Sequence, residues 1–371
     1  MSLELLLETD PAQLWQQPQF SSRQASWTAY LNQLCLTALL PWFQEEFPQA
    51  KSALNSASLT SVWAFVNGTA FNVGGLRFVV IPTETIDHDE FRIPQEWIDL
   101  PSWAGDYYLA AQVEPDERCV KIWGYATHHT VKTRGRLDFN DRTYCLNADD
   151  LLSDIGLLWL SRELCPQEPI RAEVPALPTL PLEQARNLID RLGNPEVLSP
   201  RLAVPFQLWG ALMEHGGWRQ QLYQHRQGQP ETQSILQWFR TGISNVAQQL
   251  GWERVELQPS YAAARSAEMS TPTEILSRRL AIAGQIYELQ VIPQGDAWRF
   301  ELRNTQLGGL IPGGFKLRLL TEDLQPFEGN EAIAENAVEF LFIEVALEEG
   351  EGIVWETEPI AEEYDQEILR F

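Results

Sequence analysis

The stretch SVWAFVNGTAFNVGGLRFVVIP, Ser61 to Pro82, decides how the N-terminal half of the chain is read. It places Asn67-Gly68 and Gly74-Gly75 between runs of apolar and β-branched residues. Either dipeptide suits the positive φ of a two-residue hairpin, which most side chains resist. The pattern predicts three short strands, roughly 62–66, 70–72 and 76–81, joined by two tight turns. A sheet is therefore the centre of this half.

Upstream, Trp27, Leu31, Leu34, Cys35, Ala38 and Trp42 recur at helical spacing and predict an amphipathic helix from Ser21, which Pro41 should kink or end. Downstream, Tyr107, Leu109, Ala111 and Val113 alternate with Tyr108, Ala110 and Gln112, as in a half-buried strand. Glu114-Pro115-Asp116-Glu117 turns the chain, and Cys119 to Ala126 returns as the partner strand. His128 and His129 are expected to prolong that strand. Asn147, with Asp150 three positions on, signals the start of a helix whose buried face is Leu151, Ile155, Leu158 and Trp159. Residues 1–165 thus read as an α+β domain, an antiparallel sheet or small barrel with flanking helices.

Pro166, Pro169, Pro175, Pro178 and Pro181 deny helix to residues 166–181, which are expected to be an exposed linker. A helical segment, 182–255, follows. Its strongest helix is expected from Arg201 to His225, broken near Gly216-Gly217, and another from Ser234 to Leu250, stopped by Gly251. From about Ser277, β-rich runs separated by turns predict six or seven strands, so 256–371 reads as an acidic β-sandwich. The fold class expected is α+β and multi-domain.

At 371 residues the chain is too long for one small core. It carries 51 Asp and Glu against 27 Lys and Arg, a net charge of −24. Such a surface repels phosphate backbones and anionic lipid, so neither nucleic acid nor membrane is an expected partner. The last fifty residues hold sixteen acids and one base, Arg370, yet still alternate apolar and polar residues, so the acids lie on a folded surface. No secretory signal is seen at the N-terminus, and no window approaches a membrane-spanning length of apolar residues. Cys35, Cys119, Cys145 and Cys165 are scattered, which suits reduced thiols and a cytoplasmic location.

The run IPQEWIDLPSWAGDYYLAAQVEPDERCVKIWGYATHH, then DRTYCLNADDL, and the ending GEGIVWETEPIAEEYDQEILRF resemble a cyanobacterial family of unknown function, the domain-of-unknown-function family eighteen-twenty-two. The resemblance extends over nearly the whole chain. It implies no catalytic residues, because the family has none assigned.

The residues themselves offer little chemistry. On a continuing strand His128 and His129 point to opposite faces and cannot chelate one ion. His215 and His225 lie ten residues apart, about 15 Å on a continuous helix. No zinc spacing is present, and neither metal nor cofactor is expected. GLIPGG, Gly309 to Gly314, lacks the Lys and Ser/Thr of a phosphate loop and precedes a strand, so it reads as a turn. The tryptophans of IPQEWIDLPSWAGD sit among Pro94, Pro101 and Gly105, where a regular strand is unfavourable. Trp97 and Trp103 are therefore candidate anchors for a protein partner, with packing of the loop as the competing account. The expected function is that of a non-enzymatic interaction or regulatory protein whose partner is another protein, possibly basic. The alternative is an enzyme whose catalytic groups meet only in three dimensions.

Overall fold

Gly74 and Gly75 take φ of +57° and +81° and turn strand Thr69–Val73 directly into strand Leu76–Thr83, with Val73 opposite Leu76. This is the hairpin that the glycine pair requires. The computed structural model describes residues 3–7, 20–165, 167–228, 234–257 and 273–371. The fold is mixed α+β. By its contacts the chain divides into two compact units, Met1–Gln229 and Pro230–Phe371.

In the first unit the elements are β1 (Leu3–Leu6), α1 (Arg23–Glu46), β2 (Lys51–Ser52), α2 (Ser56–Trp63), β3 (Thr69–Val73), β4 (Leu76–Thr83), β5 (Glu90–Pro94), α3 (Glu96–Asp99), β6 (Tyr107–Glu114), β7 (Cys119–Thr127), α4 (His128–Arg134), β8 (Arg136–Asp138), β9 (Thr143–Asn147), α5 (Leu157–Leu164), α6 (Leu182–Gly193), α7 (Phe206–Glu214) and α8 (Gly216–Arg226). Six strands form a curled sheet in the order β1-β7-β6-β4-β3-β2. It is not purely antiparallel: β4 and β6 run parallel. Among the described residues the order is open at β1 and β2, and no strand pairing closes the sheet into a barrel. A second small sheet runs β5-β9-β8.

Ser22 caps α1 by accepting from the Ala25 N–H, and the helix passes through Pro41 to Glu46 without ending there. Beyond the proline, Phe43 packs on Phe71 and Phe78 at centroid distances of 5.5 and 5.2 Å. That contact outweighs one lost backbone bond. Leu31, Leu34, Cys35 and Leu39 complete the buried stripe, and burial pushes the Cys35 thiol far above its ordinary range.

Several local expectations are corrected. Residues 62–66 are not a strand. Val62 and Trp63 close α2, which Asn55 caps by accepting from the Ser58 N–H at 2.9 Å. Strand β6 is buried on both faces along Tyr107–Val113 and not half-buried: α1 covers the face of Tyr107, Leu109 and Ala111, and on the other face Tyr108 OH donates to the Trp97 carbonyl and accepts from the Gly105 N–H of the crossover. Asn147 makes no capping bond and opens only a 3-10 turn, Ala148–Asp150. Leu152 then bridges Tyr125, which holds the chain extended and delays α5 to Leu157. The helix expected from Arg201 is a 3-10 turn, Pro200–Leu202, followed by α7 and α8, with the break at His215. Residues 167–181 are mostly exposed, as the linker reading has it, but they are tied to the first unit: His129 N donates to the Ile170 carbonyl at 2.8 Å, and the Arg171 side chain pairs with Asp106 at 2.7 Å. Pro166 lies outside the described residues.

The second unit holds α9 (Ile235–Thr241), α10 (Asn245–Gln249), β10 (Trp252–Leu257), β11 (Thr273–Ile282), β12 (Gln285–Gln294), β13 (Ala297–Asn304), β14 (Lys316–Thr321), β15 (Glu331–Ile333), β16 (Phe340–Val345), β17 (Gly352–Glu358) and β18 (Ile368–Arg370). Gly242, at φ +99°, splits the single helix expected over 234–250 into α9 and α10. Two antiparallel sheets, β10-β11-β12-β13-β16 and β15-β14-β17-β18, share one apolar cluster. Leu276, Leu289, Phe300 and Ile343 enter it from the first sheet, and Leu317, Leu319 and Trp355 from the second. Strand β10 begins well before the Ser277 at which β-structure was expected.

Candidate functional site

A parallel strand pair needs a long crossover, because a tight turn can only reverse direction. Here the crossover from β4 to β6 is residues 84–106, and it contains the tryptophan block. The structure turns this block into the polar hub of the first unit.

Trp97 is 1 % exposed and Trp103 is 5 % exposed. Their ring centroids lie 4.9 Å apart, and the Arg219 guanidinium sits 5.4 Å from the Trp103 ring. Trp97 Nε1 donates to the Asn67 carbonyl at 2.8 Å. The Asn67 side chain accepts from Asn32 Nδ2 at 2.9 Å and donates to the Pro82 carbonyl at 2.9 Å. Gly68 has φ +125°, and a Cβ there would lie 2.4 Å from Trp97 Nε1. The Asn67-Gly68 pair thus serves the indole and not a hairpin. The two tryptophans present no surface to a partner, and the exposed-anchor assignment is corrected to packing.

Glu96 is fully buried. Its carboxylate accepts from Arg201 Nε and NH2 at 2.9 and 2.7 Å, and from Trp209 Nε1 at 2.8 Å. The two-pronged Arg contact fixes both position and angle. Arg142, at φ +53°, donates to the Arg201 and Val204 carbonyls, while its own carbonyl accepts from Gln95 N at 2.9 Å. Asp99 accepts from Lys132 Nζ at 2.7 Å, Tyr144 OH at 3.0 Å and Gln95 Nε2 at 2.9 Å. Tyr108 OH donates to the Trp97 carbonyl at 2.7 Å.

The histidine pair is also placed differently from expectation. Strand β7 ends at Thr127, whose hydroxyl accepts from the Thr130 N–H and caps α4. His128 is therefore the first helical residue. It is fully buried, its Nδ1 accepts from the Ala172 N–H at 3.0 Å, and its Nε2–H donates to the Ile98 carbonyl at 2.9 Å. These bonds select one neutral tautomer. Among the described residues no three His, Cys, Asp or Glu side chains converge as metal ligands.

The protonation states follow from the same contacts. Burial lowers the His128 pKa. Burial raises that of Tyr144, against its bond to Lys132. For Lys132, burial opposes the charge, but the bonds to Asp99 and Tyr144 outweigh it and the pKa rises. Each group moves away from neutrality, whereas a general acid or base works best with a pKa near the working pH. The arrangement holds protons in place.

A pH test of His128 follows. Its folded pKa lies below the unfolded value near 6.5. Below about pH 6.5 the unfolded chain binds a proton that the folded chain refuses. Stability should therefore fall as pH drops from about 6.5 toward the folded pKa, with a contribution of up to about 1.4 kcal/mol per pH unit. His128→Gln should lose less stability than the parent between neutral and mildly acidic urea titrations. Equal losses would show that His128 is not the group.

Of this hub, only the tryptophans and His128 are weighed for chemistry in the sequence; Glu96, Asp99, Lys132, Arg142 and Tyr144 are not. Glu96 and Arg201 are 105 residues apart, and Glu96 and Trp209 are 113. The second unit repeats the device: Glu367 accepts from Arg278 at 2.6 Å, Trp355 Nε1 at 2.6 Å and Trp252 Nε1 at 3.1 Å.

Fold and hub together define a mixed α+β protein organised around buried carboxylates, each clamped by arginine and tryptophan. The chain belongs to the family described as protein of unknown function (DUF1822), whose model matches residues 5–370. No curated protein matches the chain, and no solved structure does.

Proposed function

We propose that the protein works by binding another protein with a basic surface, and not by catalysis. The observation that carries this reading is an exposed aromatic pair in an acidic unit. Residues 230–371 hold 10 Lys and Arg and 24 Asp and Glu, so 10 − 24 gives −14. On β16, Leu341 and Ile343 enter the core while Phe340 and Phe342 face outward, Phe342 with 43 % exposure. Glu339 and Glu344 are exposed beside them. Arg299 lies 3.9 Å from the Phe342 ring centroid, and Glu301 and Glu344 neutralise it at 2.7 and 3.3 Å. Aromatic rings supply contact area at low entropic cost, and surrounding acids steer a basic partner.

In this reading the second unit is a β-sandwich binding module. The division into an α+β body, a proline connector over 166–181, a helical middle and the sandwich belongs to the same proposal, as does a cytoplasmic location. Among the described residues no helix is long and apolar enough to cross a membrane.

The test is capture of a basic protein from native extract on the immobilised full chain, at low and high salt. Capture should fall at high salt and should be lost in Phe340→Ser/Phe342→Ser with thermal stability little changed. Capture that ignores salt and survives the double substitution would refute the reading.

A further inference from the structure

Helix α5 carries apolar side chains on two faces. Leu158 is buried in the first unit's core, and Trp159 packs against Phe47 and Phe78 at 4.5 and 5.6 Å. On the outer side Leu157, Leu160 and Leu164 recur at i, i+3 and i+7, about half exposed or more, with Leu164 at 69 %. Leu152, just ahead of the helix, is exposed too. An outward row of large apolar side chains, beside a face already buried in the core, marks a contact surface. The rim of this stripe is acidic. Asp149 and Glu163 are exposed; of the nearby bases, Arg134 is engaged by Asp150 at 3.1 Å, and Arg162 is partly buried and bonded to Tyr107, so the remaining acids outnumber them.

We propose that Leu152 and the outer face of α5 dock an amphipathic helix of a partner protein, one whose apolar stripe is flanked by lysine or arginine. Charge decides between occupants. A second copy would bring its own Asp149, Asp154 and Glu163 toward the same acids, and like charges across an interface are unfavourable. A basic helix gains from the rim that a second copy meets as repulsion, and helix-on-helix docking reads such i, i+3, i+7 anchors. The inference shares the partner-binding reading in kind, but it uses a surface of the first unit.

The probe is a labelled synthetic helical peptide with leucine at i, i+3, i+4 and i+7 and lysine elsewhere, titrated into the full-length protein and followed by anisotropy. A control peptide carries glutamate in place of lysine. The leucine–lysine peptide should bind the parent and Phe340→Ser/Phe342→Ser equally. It should lose at least about tenfold in affinity for Leu160→Ser/Leu164→Ser, whose outward positions leave folding intact. The leucine–glutamate peptide should not bind. Affinity for the leucine variant within about twofold of the parent would overturn the inference. So would a parent dimer in light scattering that the leucine substitutions dissolve, since a second copy would then be the occupant. Loss of the peptide in the phenylalanine variant alone would place docking on the second unit, sinking this inference and leaving the proposed function standing.

Discussion

Glu96→Ala should lower the stability of the protein by about 3–5 kcal/mol, the largest single effect expected of a charged residue in the first unit. The substitution leaves the Arg201 guanidinium with only the Asp141 and Arg142 carbonyls, at 2.9 and 3.2 Å. It also leaves the Trp209 N–H, inside a fully buried ring, without its acceptor. The cost comes mainly from those orphaned donors, since an intact buried ion pair contributes little against a well-packed apolar equivalent. That distinction has a signature. Adding Arg201→Met to Glu96→Ala should cost less than the sum of the two single changes, because the stranded cation is removed with its partner. Urea titration of the four proteins reads both quantities. Strict additivity would mean that the pair is not coupled.

Trp97→Ala should cost about 3–5 kcal/mol through the cavity it opens, with the Asn67 carbonyl losing its donor as well. Trp103 loses the ring it leans on. A second substitution shows whether the indole sits where the geometry places it. In the parent, Gly68→Ala drives a Cβ to 2.4 Å from Trp97 Nε1 and 2.7 Å from Ile81 Cδ1. With Trp97 already truncated, the first of these clashes disappears, although the φ of +125° remains strained for alanine. The double variant should therefore lose distinctly less than the sum of the singles. Below its melting temperature, Trp97→Ala should keep whatever partner capture the parent shows, since the ring reaches no solvent.

The features legible in the sequence are those whose cause is local. Gly74-Gly75 announces a hairpin because two successive positive φ values need glycine. The β6–β7 pair announces itself through the Pro115-Asp116 turn, and most strands of the second unit through runs bounded by glycine and asparagine. The failures also have local causes. Val62 and Trp63 favour strand by propensity, yet Asn55 caps α2 and burial of Leu59 and Val62 holds it. Thr127 carried a capping signal for α4, three residues before Thr130, that the preceding strand pattern obscured. The hub could not be read. Its charges meet only after the parallel crossover and α7 have folded, and no spacing within one segment encodes a bond across a hundred residues. The same crossover buries Trp97 and Trp103, which composition alone makes look like an exposed loop.

The most direct test of the central claim, that the tryptophan block is the hub of the first unit and not a binding loop, is amide hydrogen exchange on the unmodified protein. The N–H groups of Ile98, Asp99, Leu100, Trp103 and Ala104 donate to the Gln95, Glu96 and Leu100 carbonyls inside the hub. They should be among the slowest to exchange, opening only with global unfolding of the unit. Exchange of residues 98–104 as fast as that of the exposed segment 84–87 would contradict the claim.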